Sequence, residues 1–125
     1  MSVYKILIVG TGGFLGSMCR YALAKSIDQR FNTLMPYGVL AVNLTGCFLI
    51  GLLWGISAKR SGAEALWYLF LTAGFCGGFT TFSAFALDNV LLLSAKNMGL
   101  ALVNTLVSCI MGISMTFLGL WLARG

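Results

Sequence analysis

The chain has 125 residues, 59% of them hydrophobic and only 9% charged, a balance that excludes an ordinary soluble domain and places the protein in a membrane. Its net charge of +5 comes from eight cations against three acids. The cations mark the ends of apolar runs instead of forming a basic face, which argues against nucleic acid as a partner.

A bilayer core of about 30 Å takes about 20 apolar residues in a helix. Four runs qualify, near 3–24, 36–58, 65–93 and 98–123. The expected fold is an all-α, multi-pass integral protein of the cell membrane (the inner or plasma membrane of a bacterium), with one four-span domain over 1–125. Short connections make the helices packing neighbours.

The first run has Lys5 ahead of it and Ala22-Leu23-Ala24 near its end, a pattern shared with cleavable signal peptides. "GTGGFLGS" is a poor signal core, however, and Arg20 would stand between that core and the cut, so the segment reads as a retained span. Gly13, Gly16, Ser17 and Arg20 share one helical face. Arg20 either snorkels to the headgroups or closes that small, polar face as an anion vestibule. In the second run, Asn43 lies about two turns from the start beside Thr45 and Gly46. Its amide offers donors and an acceptor, to a neighbouring helix or to a passing ion.

The third run is longer than a bilayer needs. "GFCGGFTTFSAF", Gly74 to Phe85, lies near its middle, and each glycine costs about 1 kcal/mol relative to alanine inside a helix. A break at mid-membrane is expected, since unwound backbone is tolerated there when protein covers it or it lines a polar cavity. Phe75, Phe79 and Phe82 have the spacing of an aromatic core stripe, and Phe82 and Phe85 share a face beyond the glycines. In the fourth run Asn104, Ser108 and Gly112 share a face, with Thr105 and Thr116 near it. Such amide and hydroxyl donors suit an anion that has left water.

If the spans number four, both termini and the middle loop share one side, with Lys5, Lys59, Arg60 and Arg124, against Lys25, Arg30 and Lys96 opposite. Four cations against three barely chooses an orientation. The chain is therefore expected to insert both ways up and to pair as an antiparallel homodimer. Gly12 and Gly16, Gly51 and Gly55, and Gly74 and Gly78 are each spaced G-x-x-x-G, a signature of close helix approach.

Four widely spaced cysteines (Cys19, Cys47, Cys76, Cys109) have no histidine to join them in a metal site, and read as small buried thiols. No carboxylate pair, phosphate loop or serine with a base is present, so the chain is not expected to be an enzyme. A proton-coupled exporter of cationic drugs would want a carboxylate in the first span, which has none; Asp28 and Glu64 fall between spans and Asp88 near the end of the third. That exporter remains the competing transport reading, and a membrane assembly subunit the non-transport one.

"GFCGGFTTFSAF", with "GGFLGSMCRY" in the first span and "VNLTGCFLIG" in the second, resembles the CrcB/Fluc fluoride channels over essentially the whole chain. The resemblance implies an antiparallel, dual-topology homodimer in the lipid bilayer with two pores that release fluoride passively from the cytoplasm. It also implies a structural sodium ion at the dimer centre, held by the backbone carbonyls of Gly77 and Thr80 from both copies. The family's aromatic boxes fall on Phe82 and Phe85, its pore asparagine on Asn43, its vestibule arginine on Arg20, and its hydroxyl-bearing path on Ser83 and Ser108. Ala86 and Asp88 depart from the serine and glutamate common there, and Phe79 replaces a more usual leucine.

Overall fold

The computed structural model describes residues 1–60 and 65–125; Glu64 lies outside them. Four helical stretches are long and apolar enough to cross a membrane: Val3–Arg30, Tyr37–Lys59, Leu66–Ser94 and Met98–Arg124. At about 1.5 Å per residue each exceeds the thickness of a hydrocarbon core.

The first stretch, α1 (Val3–Arg30), continues six residues past the apolar run that predicts it. "KSIDQR" contains no breaker, and its side chains bond within the helix: Lys25 Nζ to the Tyr21 hydroxyl at 3.1 Å, and Ser26 Oγ to the Ala22 carbonyl at 2.7 Å. The extension has a use, because Asp28 Oδ1 accepts from the Gly38 N–H at 2.8 Å and ties the end of α1 to the start of α2 (Tyr37–Lys59). The single proline, Pro36, stands just before α2, where its missing N–H breaks no helical bond.

The third stretch is composite. A short helix α3 (Leu66–Leu69) leads into a π-helical segment, Phe70–Cys76, followed by the single turn α4 (Gly77–Phe79). Thr80 and Thr81 are then extended, with φ/ψ of −90°/156° and −151°/123°. α5 (Phe82–Ser94) resumes the helix. A tight turn reaches α6 (Met98–Arg124) through Lys96, whose φ of 59° is the one left-handed non-glycine conformation among the described residues.

Lipid gives two apolar helices little reason to associate, so packing depends on how closely their backbones approach. α1 lies along the π-helical segment and α4, and α2 along α6. Small residues make both seams. A Cβ on Gly12 would strike the Phe70 carbonyl, one on Gly16 the Phe75 carbonyl, and one on Gly78 the Gly13 carbonyl. Two of the G-x-x-x-G pairs, Gly12/Gly16 and Gly74/Gly78, thus face each other. The third pair meets α6: Gly51 lies against the Thr116 carbonyl and Gly55 against Ala123. Few large side chains are fully enclosed, while Leu106, Ile110, Ile113 and Phe117 of α6 stand outward among the exposed apolar residues, as a lipid-facing surface requires.

Candidate functional site

The extended pair Thr80-Thr81 withdraws backbone groups from the helical ladder, and side chains of other helices take them up. Thr81 N–H, which in a continuous helix would bond the Gly77 carbonyl, instead donates to Asn43 Oδ1 at 2.8 Å. Asn43 Nδ2 returns a hydrogen bond to the Thr81 carbonyl at 3.1 Å. The Asn43 amide therefore imitates a strand partner for one residue. Arg20 Nε donates to the Gly78 carbonyl at 2.9 Å, so a charge on α1 is spent partly on a helix end. Thr80 stays tied to the preceding turn, its N–H and its hydroxyl both donating to the Cys76 carbonyl at 2.9 Å.

On the far side of the interruption, Thr81 Oγ1 accepts from Ala84 N–H at 3.2 Å and caps α5. It also lies 3.2 Å from Ser83 Oγ. Phe82 is 79% exposed, with its ring centroid 5.6 Å from that of Phe85 at a tilt of 45°. Here the expected stripe of Phe75, Phe79 and Phe82 is corrected. Phe75 and Phe79 stack on each other at 5.5 Å, and the extended residues turn Phe82 away toward Phe85.

A groove of about 430 Å³ lies between α2, the π-helical segment, α5 and α6, and Asn43, Gly77, Thr80, Phe82, Phe85 and Ser108 all line it. No charged side chain is among its described lining residues. Arg20 lines a second groove of about 400 Å³, together with Tyr21, Lys25, Asp28 and Gln29. Thr81 borders both. Ser83 lines neither groove; it is exposed and reaches the site only through Thr81 Oγ1.

Asn104 stands elsewhere than its spacing suggests. It is 2% exposed, with Nδ2 donating to Asn89 Oδ1 at 2.9 Å, and Asn89 Nδ2 donating in turn to Thr105 Oγ1 at 3.1 Å. This amide pair joins α5 to α6 behind the groove, and Ser108 Oγ touches it only through a long 3.5 Å contact with Asn104 Oδ1. Asn89 was not singled out by the sequence, since its partners lie on another helix. The cysteines also differ from expectation: Cys76 is buried, but Cys19 and Cys109 are exposed. The chemistry this arrangement offers is a neutral cleft of amide, hydroxyl and aromatic groups beside a cationic one.

The four apolar stretches make this a multi-pass protein of the cell membrane. The family model described as CrcB-like protein, Camphor Resistance (CrcB), matches residues 7–120. Among similar proteins is the "Fluoride-specific ion channel FluC" of Agrobacterium fabrum, 43% identical over 120 residues that cover 96% of each chain. The protein of that name from Citrifermentans bemidjiense is 39% identical over 120 residues, 96% of this chain and 97% of the relative. One from Caulobacter sp. is 41% identical over 121 residues, 96% of this chain and 94% of the relative. With a match that runs from the first helix to the last, the chain belongs to the CrcB family.

Proposed function

We propose that the chain is a fluoride-selective channel that lets fluoride leave the cytoplasm passively, working as an antiparallel homodimer of four-span subunits. The fluoride-specific channels among its relatives support the substrate. The observation that carries the reading is the convergence of Asn43, Phe82, Phe85 and Ser108 on one uncharged groove.

The cationic groove gives the path its entrance. Arg20 and Lys25 outnumber Asp28 there, so an anion gathers at that mouth. Beyond Thr81 the charge ends, and fluoride must exchange water for weaker partners. Asn43 Nδ2 carries two hydrogens and uses one on the Thr81 carbonyl, which leaves the other for the ion. The Ser108 hydroxyl lines the groove and, among the described residues, makes one long 3.5 Å contact, so it is available to the ion. The rings of Phe82 and Phe85 present positive edges. Several weak sites in sequence permit conduction where one tight site would trap the ion.

The interruption in the third stretch, taken as lying at mid-membrane, suits a structural sodium ion at the dimer centre. The Gly77 carbonyl has lost its i+4 donor to Asn43, and Thr80 beside it is extended. Oxygens of this kind suit a hard monovalent cation. The Gly77 and Thr80 carbonyls of two copies would hold it, and the ion would supply fixed positive charge and lock the two interruptions together.

Purified protein in liposomes, loaded with potassium fluoride and opened to potassium by an ionophore, is expected to release fluoride to an external electrode while the same vesicles retain chloride. Chloride release at the same rate would remove the selectivity, and no release of either ion would remove the channel.

A further inference from the structure

Ser108 does not bond as the helical threonines around it do. The hydroxyls of Thr45, Thr72, Thr105 and Thr116 each donate to the carbonyl four residues earlier, at 2.8, 2.7, 2.9 and 3.0 Å, the local bond that a helix offers any such side chain. Ser108 Oγ instead directs its hydrogen at the Asn104 side chain, and only at 3.5 Å.

The polarity of what holds it follows from the backbone outward. The Ala101 carbonyl can only accept, so the Thr105 hydroxyl gives its hydrogen there and accepts from Asn89 Nδ2 at 3.1 Å. Asn89 Oδ1 is thereby turned to Asn104, whose Nδ2 donates to it at 2.9 Å. Asn104 Oδ1 is the end left over, and it faces Ser108. A flipped Asn104 would set two amide oxygens against each other, and at 2% exposure its amide has no solvent to turn to. Ser108 lines the uncharged groove, while neither Asn89 nor Asn104 is among its lining residues.

We propose that Asn104, oriented by Asn89, is a positioning residue for the ion path: it keeps the Ser108 hydroxyl off the carbonyl of its own helix and leaves it on loan to the groove. A bond as short as those of the threonines would hold the hydrogen firmly. The 3.5 Å contact yields it to a stronger acceptor, and an anion such as fluoride is one. The effect on flux rests on the fluoride-channel reading, whereas the orientation of the hydroxyl does not.

Fluoride efflux is measured from liposomes that contain the wild-type chain, Ser108→Ala, Asn104→Leu or the paired Asn89→Leu with Asn104→Leu, and both asparagine variants are repeated with Ser108→Ala added. The paired change replaces both amides by apolar groups, which spares the fold a lone buried amide. Without Asn104 Oδ1, Ser108 is expected to fall back on the backbone carbonyl of residue 104. Both asparagine variants should then lose efflux about fivefold or more, match Ser108→Ala within about twofold, and fall no further when Ser108→Ala is added. Losses that multiply, as a merely structural role predicts, overturn the proposal, and so does efflux at the wild-type level in Asn104→Leu or in Ser108→Ala. A crystal structure of the paired variant gives the second readout: Ser108 Oγ is expected within hydrogen-bond distance of that carbonyl, and an Oγ that stays away from it overturns the proposal whether or not the protein conducts. Absent efflux from the wild-type chain would sink the channel reading alone, and the orientation of Ser108 would still decide the positioning.

Discussion

Asn43 braces Thr81 and, in the proposed channel, offers a hydrogen to fluoride; its variants separate the two. Replacement by alanine leaves the Thr81 N–H and carbonyl without their partner, a loss of about 1–3 kcal/mol for part-buried polar groups. Asn43→Ala is therefore expected to lower the unfolding midpoint in detergent as well as fluoride efflux. Asn43→Asp keeps the acceptor for Thr81 N–H but gives up both amide hydrogens, so it should retain more of the stability while efflux still falls at least tenfold. Equal losses of stability in both variants would show that the acceptor contact is unimportant. Phe82→Ile removes a largely exposed ring; it should reduce efflux with little change in stability, as measured by the same two assays. Locally the sequence made Asn43 legible as an intramembrane amide and Phe82 with Phe85 as paired aromatics, and only the family resemblance joined the three into one path. The sequence left the role of Asn104 misplaced, because nothing in spacing along α6 shows that Asn89, on another helix, takes up its amide.

The third stretch depends on devices that substitutions can probe separately. Thr81 Oγ1 caps α5, and its removal in Thr81→Ala is expected to cost about 1 kcal/mol. Gly16→Ala pushes a methyl group into the Phe75 carbonyl. A rigid backbone neighbour cannot yield as a side chain would, so a loss of about 1–3 kcal/mol is expected in denaturant titration. The opposite sign is expected at the turn into α6, where Lys96 adopts φ 59°. Lys96→Gly relieves that conformation and should stabilise the chain by about 0.5–1 kcal/mol. Helix existence, and every end but the last of α1, which runs six residues further than its apolar stretch, followed from length and hydropathy, because a bilayer leaves so few ways to satisfy a backbone. The π-helical turns of Phe70–Cys76 had no such signal: the glycines at 74, 77 and 78 announce weakness in a helix without stating which form replaces it.

The proposed antiparallel assembly rests on the near balance of cations. An affinity tag at the C-terminus should be accessible from both faces of the membrane in intact and opened cells, since Lys5, Lys59, Arg60 and Arg124 barely outnumber Lys25, Arg30 and Lys96. Thr33→Lys with Leu34→Lys places two further cations on the weaker side and is expected to make the tag face mainly outward, reducing efflux as antiparallel partners become scarce. Unchanged accessibility would show that charge does not set the insertion. One detail of the fold bears on how each subunit of the proposed dimer can move. Thr81 is the thin wall between the two grooves, and both of its backbone polar groups are gripped by α2 through Asn43. α2 in turn is latched at its start to the end of α1 by Asp28 and Gly38. The wall thus belongs to the third stretch by covalent chain but to the second helix by mechanical linkage. A displacement of α2 along its axis would carry that wall with it, and the latch at Gly38 lies only about one and a half turns, about 7.5 Å, along α2 from the Asn43 grip.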